Sequence, residues 1–201
     1  DLRSNQINLP SMPDVAWKVR RLVDREDSSA DDIGKAITAD PAMSAKLVRA
    51  CNSALYRGYS EVHNVRDAVV RLGGKTTRQL VTVFAMREVF RSRQPELQKA
   101  MDELWQEARN VGAIAYVLAE SVTRLNPEEA MLAGLLHNIG SVPVLVHAEN
   151  HPVLVANPEA LRRVMAGLQS DISAAILENW RFPDAFVEAA RHGDDWYYEC
   201  A

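Results

Sequence analysis

The stretch Glu129-Ala130-Met131-Leu132-Ala133-Gly134-Leu135-Leu136-His137-Asn138-Ile139-Gly140 reads as an apolar helix that ends in a histidine beside an amide and then a glycine turn. Pro127 is placed to open it, since its missing N–H is spare in a first turn, and the helix is predicted to reach His137 and break at Gly140. On composition alone, a histidine at such a buried helix end is satisfied by a backbone partner.

Working outward, every neighbouring segment carries the helical period. Pro13 opens a predicted helix to about Arg25, with Val15, Val19, Leu22 and Val23 on one face. Ser29 with Asp32 is a variant capping box for the next. Asp40-Pro41 is a cap and first-turn pair for a third, carrying Met43, Leu47, Val48 and Cys51. Asn64 caps a short helix ending at Gly73-Gly74, and Thr76 or Thr77 starts another through Phe90. Gln94-Pro95 opens a long helix from Glu96 to about Thr123. Asn157-Pro158 starts a later one, Ser170 caps a further one through Ile176, and Pro183 begins the last. Strand-like alternation is almost absent. The fold class is all-α, a multi-helix bundle in a single domain with two helical sub-lobes, about 9–93 and 94–201.

The chain has 201 residues, 47% hydrophobic and 25% charged, the balance of a globular domain rather than a disordered or fibrous one. Apolar runs such as 112–119 and 141–146 are far shorter than the roughly 20 residues of a membrane span. Cys51 and Cys200 form neither a zinc spacing nor a disulfide framework, and no secretory pattern opens the chain, so a reducing cytoplasm is expected. The net charge of −4 is uneven: residues 1–93 hold 16 Lys/Arg against 11 Asp/Glu, and residues 94–201 hold 7 against 16.

The residues just read resemble a known family. The segment 133–140 is similar to the His-Asp signature of HD-superfamily metal-dependent phosphohydrolases. More broadly the chain resembles the HDOD family, a regulatory offshoot of that superfamily. The resemblance runs through Leu9-Pro10-Ser11-Met12-Pro13, the stretch 37–47 from Ile37 to Leu47, Cys51-Asn52-Ser53-Ala54, Ala68-Val69-Val70-Arg71-Leu72-Gly73, Leu104-Trp105 and Trp180-Arg181-Phe182-Pro183. It covers nearly residues 9–192 in order and implies an HD-superfamily-like helical bundle. It also implies a cytoplasmic signal-transduction module of bacteria that acts on other signalling proteins or domains, with a small molecule or nucleotide as a further ligand.

The chemistry of an HD site needs at least two histidines and carboxylates around a divalent ion, whose bound water attacks phosphorus. Here Asn138 replaces the aspartate of the doublet, and an amide brings no negative charge. By the resemblance, the upstream histidine falls at Glu107, another near Gln169, and a histidine pair near His192. The candidate degenerate pocket is therefore Glu107, His137, Asn138, Gln169 and His192, with no catalytic residue, cofactor or metal assigned. A divergent phosphohydrolase acting on nucleotides or cyclic dinucleotides is the alternative.

Two other constellations stand out in the sequence. Lys75, Thr76, Thr77 and Arg78 follow two glycines at a helix start and form a candidate anion site. The surrounding 66–93 segment is basic, but an acidic pI near 5.8 and the lack of interleaved aromatics argue against nucleic acid. His147 and His151 stand four apart, a spacing that on a helix faces one zinc; Asn150-His151-Pro152 reads as a helix end, and no third ligand is evident. Cys51, Trp105 and Trp180 read as packing residues. The partner and the oligomeric state are left open by the sequence.

Overall fold

The computed structural model describes residues 9–25, 27–92, 94–195 and 197–198, and every regular element among them is helical. In order these are α1 (Asp14–Val23), α2 (Ala30–Thr38), α3 (Pro41–Cys51), α4 (Val65–Val89), α5 (Pro95–Val122), α6 (Pro127–Leu136), α7 (Ser141–Ala148), α8 (Pro152–Val155), α9 (Pro158–Asn179) and α10 (Asp184–His192). The chain divides into two compact units. One is Met12–Glu88; the other begins at Val89 and takes in the described residues before Met12.

In the first unit the caps fall where local chemistry places them. The Ser29 hydroxyl accepts from the Asp32 amide while the Asp32 carboxylate accepts from the Ser29 amide. The Asp40 carboxylate accepts from the amides of Ala42 and Met43. The Asn64 side chain caps α4 by accepting from the Asp67 amide at 2.9 Å. These caps orient Val19, Ile37, Leu47 and Cys51 into a core from which water is fully excluded. Asn52 ends α3, and its amide clamps the Val62 backbone in both directions, at 2.7 and 2.9 Å.

The helix expected to end at Gly73-Gly74 does break there. Gly73 adopts φ 75 and ψ 165, which essentially only glycine tolerates. The new helical segment resumes at once, so neither Thr76 nor Thr77 is its cap, and Thr77 is wholly buried within it.

The second unit is built around α5 and α6. Gly112 and Gly134 let the two helices meet backbone to backbone. Along α5, Leu97, Met101 and Leu104 bury a stripe with Phe90, Val142, Leu145, Ala148 and Leu161. The Phe90 ring meets Trp105 at 5.3 Å between centroids. Phe90 belongs to this cluster, and the second unit accordingly begins at Val89.

Residues 158–179 form one helix, so Ser170 does not cap a second one; its hydroxyl donates to Asp194 instead. Arg181, at φ 55, closes α9 in a Schellman arrangement, with Phe182 N donating to Leu177 O and Arg181 N to Glu178 O, each at 2.9 Å. The Trp180 indole N–H, on an otherwise buried ring, finds its partner in the Pro10 carbonyl at 3.0 Å. The stretch Pro127–Ala148, α6 and α7 with the turn between them, has by length and composition alone what a membrane span needs, with a mean hydropathy of 1.4 over its apolar window, which the short apolar runs in the sequence did not suggest. Two-thirds of that window is buried within the fold, as in the core helix of a globular protein.

Candidate functional site

The signature turn lies between α6 and α7. His137 follows the last turn of α6, and its Nδ1 lies 2.7 Å from the Gly134 carbonyl. A carbonyl only accepts, so Nδ1 is the donor in this contact. Asn138 is buried; its Nδ2 donates to Leu104 O at 3.3 Å, while its Oδ1 has no protein partner.

Gly140 follows in helical conformation, φ −63 and ψ −21, so its role is clearance rather than backbone freedom. A Cβ there would lie 2.3 Å from Gln169 O and 2.5 Å from Ser173 N, both backbone atoms of α9. The contact is tied by Gly140 N donating to Ser173 Oγ at 2.8 Å. Ser141 Oγ donates to Gln169 Oε1 at 3.0 Å, and Gln169 Nε2 donates to Asp194 Oδ2 at 2.7 Å. Gln169, which stands where the family resemblance puts a histidine, is thus a strut joining the α6–α7 turn to α9 and the segment after α10.

The structure ties Gln169 through Ser141 to the turn that carries His137 and Asn138, while the Asn138 side chain turns to Leu104. It does not bring the other two candidates into a shared donor set. Glu107 is exposed on α5. His192 stacks on Tyr198, with ring centroids 3.9 Å apart, and its Nε2 lies 3.5 Å from Glu188.

The divalent ion that the HD fold implies needs three or more His or carboxylate donors converging. Among the described residues no such group of His, Cys, Asp and Glu exists. The donor set at His137 and Asn138 therefore does not fit that ion. Ser141, Ser173 and Asp194 were missed by sequence reading. Hydroxyls tying a turn to a distant helix leave no local periodicity, and Asp194 carries no motif.

The candidate anion site is not assembled as a cradle either. Arg78 pairs with Asp24, and the Thr77 hydroxyl is buried inside the first unit. That unit instead carries an open groove of about 860 Å³, lined by Thr38, Ser44, Arg49, Asn52, Glu61 and His63 among others. It lies along the 37–54 stretch that carries the family resemblance.

The fold is that of HD-superfamily phosphohydrolase structures. It superposes on a candidate metal-dependent phosphohydrolase of Shewanella amazonensis SB2B with a TM-score of 0.88 and 34% identity, over 99% of this chain and 73% of that one. The HDOD domain family matches residues 9–196, and the chain belongs to that family. A candidate signal transduction protein of Marinobacter aquaeolei VT8 is similar with a TM-score of 0.67 and 26% identity, over 96% of this chain and 45% of that one. An uncharacterized protein of Treponema pallidum (strain Nichols) is 23% identical over 197 residues. That match spans 92% of this chain and 37% of the relative's length.

Proposed function

We propose that this HDOD domain is a non-enzymatic regulatory module of bacterial signalling, working in the cytoplasm by binding other signalling proteins or domains. The observation that carries the reading is Asn138. A neutral amide occupies the position of the metal-binding carboxylate, is buried, and spends its donor on the Leu104 carbonyl. With the histidine positions taken by the exposed Glu107 and the strut Gln169, the turn is wired as a packing joint rather than as an ion site. Likeness to a candidate signal transduction protein supports the same direction.

The test is elemental analysis of the purified chain and of His137→Ala, paired with hydrolysis of a phosphodiester reporter in added manganese, iron or magnesium. The reading expects no metal that is lost in His137→Ala and no turnover that depends on His137. Stoichiometric metal lost in His137→Ala, together with metal-dependent hydrolysis, would instead make the domain a divergent phosphohydrolase using His137. Asn138→Asp adds a second arm. An aspartate there loses the donor to Leu104 and buries a charge, so it should cost about 3 kcal/mol or more at neutral pH. Burial raises the carboxyl pKa above its unfolded value near 4, so the cost grows as pH rises through that range. Rescue of that loss by manganese would contradict the proposal.

A further inference from the structure

We infer that His147 and His151 form a two-histidine clip for a divalent transition-metal ion of the zinc class, separate from the His137–Asn138 turn. The two Nε2 atoms lie 3.3 Å apart, with ring centroids at 5.0 Å and planes tilted by 46°. In tetrahedral zinc with Zn–N bonds of about 2.0–2.1 Å, adjacent nitrogens stand about 3.3–3.4 Å apart by simple trigonometry. The rings therefore already present their nitrogens at the edge length of a zinc tetrahedron.

Sequence reading set this pair aside because Pro152 signals a helix end. The structure bears out the helix end and still keeps the His151 ring beside that of His147. α7 ends at Ala148, and Asn150 N donates to His147 O and His151 N to Ala148 O, at 3.2 and 2.8 Å, in a tight turn that leaves His151 at φ −127 and ψ 74. His151 caps α8, and Pro152 is the first residue of that next helix, so the proline lies outside the turn that aligns the rings. Glu149 points elsewhere, its Oε1 accepting from Ser92 Oγ at 2.5 Å. The pair lies at the surface, where an ion can reach it and water can fill the remaining positions. No third His, Cys, Asp or Glu among the described residues completes a cluster, so the clip is an open, exchangeable site rather than a closed structural one.

The experiment is zinc titration of the whole chain, followed by the imidazole ¹⁵N resonances of its five histidines. The inference expects zinc near equivalence to move the Nε2 signals of His147 and His151 and leave the others in place. His147→Gln and His151→Gln should each weaken zinc binding by about tenfold or more, with thermal melts of the metal-free variants unchanged. A 3.3 Å contact that is only a shared-proton hydrogen bond predicts no shift in these two residues at tenfold excess zinc, and that result would overturn the inference. Zinc affinity equal in wild type and both variants would overturn it as well. Because the clip and the His137 turn are read from different resonances, metal at one is not mistaken for metal at the other.

Discussion

Gly112 on α5 and Gly134 on α6 meet so closely that a Cβ built on Gly134 would stand 2.8 Å from the Gly112 Cα. All three nearest obstacles to that Cβ are backbone atoms of residues 111 and 112, which cannot rotate away. Replacing glycine by alanine inside a helix ordinarily stabilises by up to about 1 kcal/mol. Here Gly134→Ala is expected to destabilise by about 1–3 kcal/mol, because the two helices must part. Urea unfolding decides the sign, and a raised midpoint would remove the close crossing from the account of the fold.

Gly140 and Gly73 separate two reasons for glycine. Gly140 has ordinary helical angles but no room, whereas a Cβ on Gly73 would meet nothing within 4 Å and fails only on its angles. Gly73→Ala should cost about 1–3 kcal/mol of backbone strain. Gly140→Ala should cost at least about 2 kcal/mol of overpacking. Amide exchange tells the two apart: the Gly140 variant should loosen the Ser141–Gln169–Ser173 joint, and the Gly73 variant should loosen α4 near its kink.

Asn52 clamps both the N–H and the C=O of Val62, so Asn52→Ala leaves two backbone groups without partners on a buried residue. A loss of about 2–3 kcal/mol is expected. Faster exchange at the Val62 amide is the local check. Unchanged stability would mean that water replaces the clamp without cost.

Burial pushes the Cys51 thiol pKa up, while neighbouring Arg71 pulls it the other way. In the native protein Cys51 should resist alkylation at pH 8 and react only as the fold opens, which peptide mapping would show. Since the folded thiol ionises above the unfolded one, its contribution to stability is complete below about pH 8.5 and is lost as pH rises beyond that. Rapid native labelling at Cys51 would contradict its burial.

Sequence alone determined the helical class and most helix starts, because those are local events. Ser29–Asp32, Asp40-Pro41, Asn64, Pro95, Pro127 and Pro158 act within one turn, by satisfying first-turn amides or by having none to satisfy. It also marked Asn138 as a break with metal chemistry, since the loss of a negative charge is a property of the side chain itself. What Gln169 and Ser170 do was decided only in three dimensions: their partners Ser141 and Asp194 are 28 and 24 residues or more away, and no periodicity encodes a bond across that span. The same holds for Gly112, Gly134 and Gly140, whose missing Cβ atoms make room for a particular neighbour. The His147–His151 spacing was visible in the chain, but whether the rings face one another depended on the turn that the chain makes between Ala148 and Pro152. That turn rests on backbone hydrogen bonds made as the chain passes from α7 into α8.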